Sequence, residues 1–258
     1  MRLRSGLGRG VAGLAALCLL LELVPRVGLV SPRYLPPFSQ IVGELADQAG
    51  QASFWTALLD TLRGWALGLL IAVVAGTVLG ILIGSAAPLR AATGSTIEFL
   101  RPIPSVALVP LAVLLFGTDI RSKLLLVVYA SFWQVLIQVL YGVQDVDPVA
   151  RETARSYGLG AWAQVRHVTW PTTLPYLMTG VRLAATVALV LAITAELVIG
   201  NPGLGREIAV AQSSGAVAAM YALVLVAGLV GVAVNVLARV VERRVLFWHT
   251  SVRGEAPA

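Results

Sequence analysis

Residues 151–175, RETARSYGLGAWAQVRHVTWPTTLP, form one long polar stretch late in an otherwise very apolar chain. Asp147-Pro148 just before it is a helix start: the acid caps the first turn, and proline suits the first helical position. Ala150, Ala154, Tyr157 and Ala161 follow at helical spacing and predict one apolar face, flanked by Arg151, Glu152 and Arg155. Gly158 and Gly160 end or bend that helix. Residues 161–168 allow another turn or two before Pro171 and Pro175 stop it. A short charged helix of this kind inserts into a groove of a partner protein or lies on the lipid surface.

Working outward, the composition is that of a bilayer protein. Of 258 residues, 58% are hydrophobic and 12% charged, about half the charged share of a soluble domain. Mean hydropathy is +0.85. The 19 basic residues include a single lysine, Lys123, and give a formal charge of +6. They are scattered at span ends, not gathered on one face, which argues against nucleic-acid binding. Cys18, the only cysteine, lies in the first apolar run and offers neither a disulfide nor a metal cluster. The basic, apolar N-terminus resembles a secretory signal, but no convincing A-x-A site follows, so it is read as a retained span.

A spanning helix needs roughly 20 apolar residues. Six runs qualify: 7–30, 64–84, 97–116, 123–142, 176–199 and 217–238. With both termini inside, thirteen basic residues fall on the inner side and six on the outer, Lys123 among the latter. The positive-inside rule therefore puts both termini and the 151–175 stretch in the cytoplasm. The outer loops are 31–63, a tight turn near 117–122, and 200–216. The expected organisation is a first span and outer loop (1–63), a core (64–248) containing the polar segment 147–175, and a tail (249–258).

Three further features bear on packing and pathway. Gly64, Gly68, Ala72, Gly76, Gly80 and Gly84 recur every fourth residue and make one smooth helix face, read as packing within the subunit. Pro102, Pro104 and Pro110 interrupt the third span and mark it as a candidate pathway wall, because freed backbone groups must be buried in protein or face water. Glu196 closes the fifth span and is a candidate gate at a hydrated boundary, and Glu22 in span one is treated likewise.

The spacing of the polar stretch resembles the EAA motif of permease subunits of binding-protein-dependent ABC importers. That motif runs Glu-Ala-Ala, three residues, Gly, nine residues, Ile-x-Leu-Pro. The chain has Glu152-Thr153-Ala154, then Gly158, then Val168-Thr169-Trp170-Pro171 at the same spacing. It departs at Thr153, Val168 and Trp170. Residues 101–111, RPIPSVALVPL, are similar to the proline-rich third span of the sulfonate, taurine and nitrate branch. Phe116-Gly117, Thr61-Leu62 and Gly203-Leu204-Gly205 with the preceding Glu196 extend the likeness over roughly residues 35–248.

The resemblance implies an all-α polytopic protein with six transmembrane helices, the type I ABC importer permease fold, in the cytoplasmic membrane. It implies that Glu152, Thr153, Ala154, Arg155, Gly158, Val168 and Pro171 shape or contact an ABC ATPase dimer. It further implies a second permease subunit, identical or different, and an extracytoplasmic solute-binding protein, with Gly203, Leu204 and Gly205 as candidates for docking it. ATP and Mg2+ belong to the partner ATPase. The chain itself has no G-x-x-x-x-G-K-[ST] phosphate loop, since Lys123 is followed by Leu124. It is therefore expected to be a permease and not an enzyme, with no catalytic or metal-binding residues. His167 and His249 sit at cytoplasmic edges, away from Ser105 and Ser131, which disfavours an intramembrane serine protease. The alternative is an ATP-independent secondary transporter or channel, but the intramembrane charges and inverted repeats it needs are not evident.

Overall fold

The computed structural model describes residues 2–248, with side chains from residue 8 onward. His249 and the 249–258 tail lie outside the described residues. The described residues are helical throughout, joined by turns, with no strand. The helices are α1 (Arg2–Arg26), α2 (Phe38–Ala49), α3 (Ala52–Ser85), α4 (Ala87–Leu100), α5 (Val109–Phe116), α6 (Ile120–Gln144), α7 (Pro148–Ser156), α8 (Ala161–Gln164), α9 (Trp170–Ile199), α10 (Leu204–Ser213) and α11 (Val217–Val245). A 3-10 turn, Ser105–Leu108, precedes α5, and a π turn, Val165–Thr169, joins α8 to α9.

Five helical stretches are long and apolar enough to cross a membrane: Gly8–Arg26, Ala52–Ser85, Ile120–Gln144, Ala161–Ile199 and Val217–Val245. The expected third span, 97–116, is not one helix. Ala87–Leu100 and Ser105–Phe116 together make up a sixth candidate crossing, bent by 84°. Pro102 and Pro104 explain the corner, because neither has an N–H to continue the helical ladder, even though Arg101 before Pro102 keeps helical angles. Pro110 does not interrupt a helix; it sits in the first turn of α5, where its missing N–H costs nothing. The boundary expected at 63/64 falls inside α3, which continues unbroken from Ala52. The outer loop before it carries α2, whose Ile41 is buried.

Glu22 clamps α1 to α2. Its carboxylate accepts the Ser39 N–H at 2.8 Å and the Ser39 hydroxyl at 2.9 Å and pairs with Arg26. An anion at the first turn of α2 also complements that helix's dipole.

α6 lies at the centre. On one side, Lys123, Val127, Val135, Val139 and Val143 face Gly64, Gly68, Gly76, Gly80 and Gly84 of α3. The two sets of numbers rise together, so α3 and α6 run parallel. A β-carbon on Gly76 would lie 2.9 Å from the Val135 β-carbon. The four-residue stripe read from the sequence is thus filled from within the subunit. On its other side, α6 meets α9 running the opposite way. A β-carbon on Gly142 would lie 2.9 Å from the Thr173 Cα, and one on Gly180 would lie 3.2 Å from the Gln134 carbonyl. Beyond Gly180, α9 buries Ala184, Ala188 and Ala192, again every fourth residue. The Trp65 indole donates to the Ala185 carbonyl at 2.9 Å and closes the triangle from α3 to α9.

These contacts make a testable contrast. Gly76→Ala places a methyl where Val135 already sits and should cost about 1–3 kcal/mol, seen as a lower Tm in detergent. Gly13→Ala in α1, where nothing lies within 4 Å, should leave Tm unchanged or raise it.

Candidate functional site

Two polar constructions stand out, one at each end of the helix bundle. The inner one is the segment 147–175. The Asp147 carboxylate accepts the Val149 N–H at 2.8 Å and caps α7 as expected. The helix then ends sooner than the predicted apolar face requires. Leu159 N–H bonds to Ala154 C=O at 3.0 Å, and Gly158 N–H bonds to Arg155 C=O at 2.9 Å. This paired closure is a Schellman motif, and it needs a left-handed residue. Gly158 supplies it at φ +73°, with open space around its α-carbon. Its glycine character is therefore a matter of backbone angle, not of crowding.

The early stop separates residues expected to share a face. Ala154 turns inward and is buried, whereas Tyr157 is 82% exposed, Trp162 77% and Val149 67%. Glu152, Thr153, Arg155 and Gly158 are also exposed, and Val168 is half-buried. Ala154 is thus a packing residue of the segment, and the large exposed side chains are ones the motif did not single out.

Pro171 and Pro175 do not stop a helix before the fifth span. Pro171 lies in the first turn of α9, and Pro175 lies within that helix. The π turn at Val165–Thr169 widens the chain just before Pro171, where a tighter helix would drive the ring against the carbonyl four residues back. One bond ties the segment to α6, and another joins α6 to α9 just beside the segment's two ends. The Tyr176 hydroxyl of α9 donates to Asp145 at 2.9 Å, and the Arg151 guanidinium donates to the Val143 carbonyl at 3.4 Å in the last turns of α6.

Of the expected pathway residues, Pro102 lines a hollow of about 730 Å³ between α4 and the end of α6, with Arg90, Glu98, Arg101, Tyr141 and Gln144. Pro104 precedes the 3-10 turn, and Pro110 begins α5. Glu196 is not with them.

Glu196 instead belongs to the outer construction, and it is fully buried where a hydrated boundary was expected. The Lys123 ammonium donates to it at 2.8 Å, and both side chains are at most 2% exposed. The same carboxylate accepts the Thr61 hydroxyl at 2.8 Å and the Gly205 N–H at 3.0 Å. Lys123 also donates to the Pro202 carbonyl at 3.1 Å and the Asp60 carbonyl at 3.2 Å. Leu204 N–H donates to Thr61 Oγ1 at 2.9 Å. Asn201 anchors the same loop by donating to the Thr118 and Asp119 carbonyls at 2.7 and 2.9 Å.

Lys123, counted among outer surface charges, is therefore an internal cation, and the buried pair is a charge constellation that the sequence did not make evident. Gly203, Leu204 and Gly205 face inward around it and are buried. A β-carbon on Gly203 would overlap the Glu196 carboxylate, and one on Gly205 would overlap the Ile193 carbonyl. What these three residues offer is closure around Glu196, not an exposed docking surface.

This arrangement of helices recurs in solved transporters. A chain of a bacterial ABC transporter involved in the import of the acidic polysaccharide alginate superposes with a TM-score of 0.66 at 16% identity, covering 95% of this chain and 99% of that one. A chain of the MetNI methionine ABC transporter, in an inward-facing conformation, gives 0.65 at 16%, covering 75% and 96%. The fold is that of an ABC importer permease.

Residues 55–247 match the model of the binding-protein-dependent transport system inner membrane component, and the chain belongs to that family. It is 31% identical to the taurine transport system permease protein TauC of Escherichia coli strain K12, over 94% of this chain and 90% of the relative. It is 28% identical to the putative aliphatic sulfonates transport permease protein SsuC of Bacillus subtilis strain 168, over 98% and 92%. The nitrate import permease protein NrtB of Leptolyngbya laminosa is 29% identical over 76% and 70%. The chain is accordingly a multi-pass permease component of the cytoplasmic membrane. An ATP-independent transporter or channel does not fit this membership.

The buried pair predicts an asymmetric mutational response. Glu196→Ala strands the Lys123 ammonium and should destabilise by about 3–5 kcal/mol, whereas Lys123→Met with Glu196→Leu should lie much closer to the wild type. Detergent Tm of the two variants compares them directly.

Proposed function

We propose that this chain lines the solute pathway of an ATP-driven importer and takes its power stroke through residues 147–175. The observation that carries the reading is the Schellman-closed α7 and the start of α8, which together leave Glu152, Arg155, Tyr157 and Trp162 exposed on the side the arginine distribution assigns to the cytoplasm. Exposed aromatics beside arginines are what a docking face uses, since both residue types dominate interface energetics. Seated in a cleft of a partner ATPase, α7 would move with that subunit. Through Ala154, Arg151 and the Asp145–Tyr176 bond, the movement reaches α6 and α9 together. Rigid-body rocking of such a packed bundle gives two states, inward-open and outward-open. Nucleotide on the ATPase drives the change only by favouring one of them.

The proposed cargo is a small organic or inorganic anion, such as a sulfonate, taurine or nitrate. The printed roles of the three relatives above support this class. The hollow carrying Arg90 and Arg101 is compatible with it. A solute-binding protein on the outer face would deliver the anion, and a second permease subunit would complete the pathway. Thermal-shift screening of the cognate binding protein against taurine, alkanesulfonates and nitrate tests the cargo.

The coupling assignment is tested by a graded series at Gly158. Asparagine tolerates the left-handed region better than other side chains, and a β-branched residue tolerates it poorly. Gly158→Asn should reduce uptake mildly. Gly158→Val should abolish uptake and ATPase stimulation while membrane insertion stays intact. Normal uptake by the inserted valine variant would overturn the assignment. Tyr157→Ala with Trp162→Ala should lower co-purification of the ATPase, measured by pull-down from detergent extracts.

A further inference from the structure

The outer loop 200–205 directs its hydrogen bonds to three different spans. Leu204 N–H bonds Thr61 of α3, Gly205 N–H bonds Glu196 of α9, and the Pro202 carbonyl receives Lys123 of α6. Asn201 adds two bonds to the turn that starts α6. Thr61 is the joint of the network, because its one hydroxyl accepts from the first residue of α10 and donates to Glu196. The loop also has no slack. Gly203 sits at φ +148°, and neither it nor Gly205 has room for a β-carbon. Below the loop, α10 buries Leu204, Ile208 and Ala211 against Phe54 of α3 and Leu223 of α11, while Val210 stays exposed. A load on α10 therefore has a buried, hydrogen-bonded route into α3, α6 and α9. The Arg151 contact ties α6 to the inner segment, α9 continues directly from it, and the Asp145–Tyr176 bond joins the two helices beside it.

We propose that Thr61, Lys123 and Glu196 are positioning residues that carry the arrival of a solute-delivering protein on the outer surface to the inner coupling segment. The inference rests on the proposed function for the existence of that protein and of the ATPase. It adds the residues through which one is felt by the other. A purely structural network would support the fold equally in resting and stimulated complexes. A transmitting network matters chiefly when the outer partner binds.

Thr61 allows the two to be told apart. Thr61→Val keeps the shape and removes both hydrogen bonds, whereas Thr61→Ser keeps the hydroxyl. The experiment reconstitutes the complete complex in proteoliposomes and measures ATPase with and without the solute-binding protein, alongside Tm. The expected result for Thr61→Val is basal ATPase and assembly near wild type, with the binding-protein-stimulated rate lowered about tenfold, the scale of a lost hydrogen bond to a charged group. Thr61→Ser should restore stimulation. Stimulation of Thr61→Val equal to wild type overturns the proposal, and so does a proportional fall of basal and stimulated rates that tracks a lower Tm. Should Thr61→Val fail to assemble, Lys123→Met with Glu196→Gln, which removes both charges together, is read by the same two rates and the same criteria. A wild-type complex whose ATPase ignores the binding protein would instead overturn the functional reading beneath the proposal.

Discussion

In a bilayer the lipid tails are as apolar as leucine, so α6 is held to α3 and α9 by close van der Waals approach and not by exclusion of water. Gly64, Gly68, Gly76, Gly80 and Gly84 on one side, and Gly180, Ala184, Ala188 and Ala192 on the other, let the backbones come near enough for this. The remaining helices hang on that three-helix slab. α11 reaches it through the Arg182–Glu242 pair, α10 through the ionic network, and α2 holds α1 by the Glu22 clamp. α4 and α5 lean outward and bury only Ala112 between them.

The slab joins two unlike ends. At the outer end, charges are buried and the loop is held to α3, α6 and α9 by hydrogen bonds. At the inner end, α7 is a short capped rod followed by exposed Tyr157 and Trp162, linked to the slab by the Arg151 bond. A stiff end and an adaptable end suit a body that must receive force at one place and move as a unit elsewhere. The Schellman turn at Gly158 marks where the adaptable part begins.

Much of this was legible in the sequence, for physical reasons that can be named. Span positions follow from hydropathy, the α7 cap from Asp147-Pro148, and the groove on α3 from its four-residue step. What stayed hidden depended on distant partners. Lys123 and Glu196 lie 73 residues apart and near span ends, where a charge ordinarily faces hydrated headgroups, so nothing local announced their pairing. The α6 residues that fill the α3 groove, mostly valines, also follow a four-residue step broken by Ser131, but valine is unremarkable in a membrane helix. Tyr157 fitted the periodicity of α7, yet it is the C-cap of that helix and is exposed, not packed beside Ala154. Pro102 and Pro104 signalled a break, whereas its 84° angle is a property of the surrounding packing.

The contact between α3 and α6 is a zipper of similar teeth, and similar teeth can mesh in more than one way. Sliding α3 by four residues, roughly 6 Å of rise, would set valine against glycine again at several positions. Two teeth break the repeat. The constant offset puts Ala72 opposite Ser131, where a slip would press a valine onto the alanine methyl, and Gly64 makes room for Lys123. A slip would also pull Thr61 from Glu196 and the Asp60 carbonyl from Lys123, leaving the buried pair that joins α6 to α9 short of partners. Setting helix register is the best-attested use of a buried polar group, and here it acts beside a steric tooth to select one meshing.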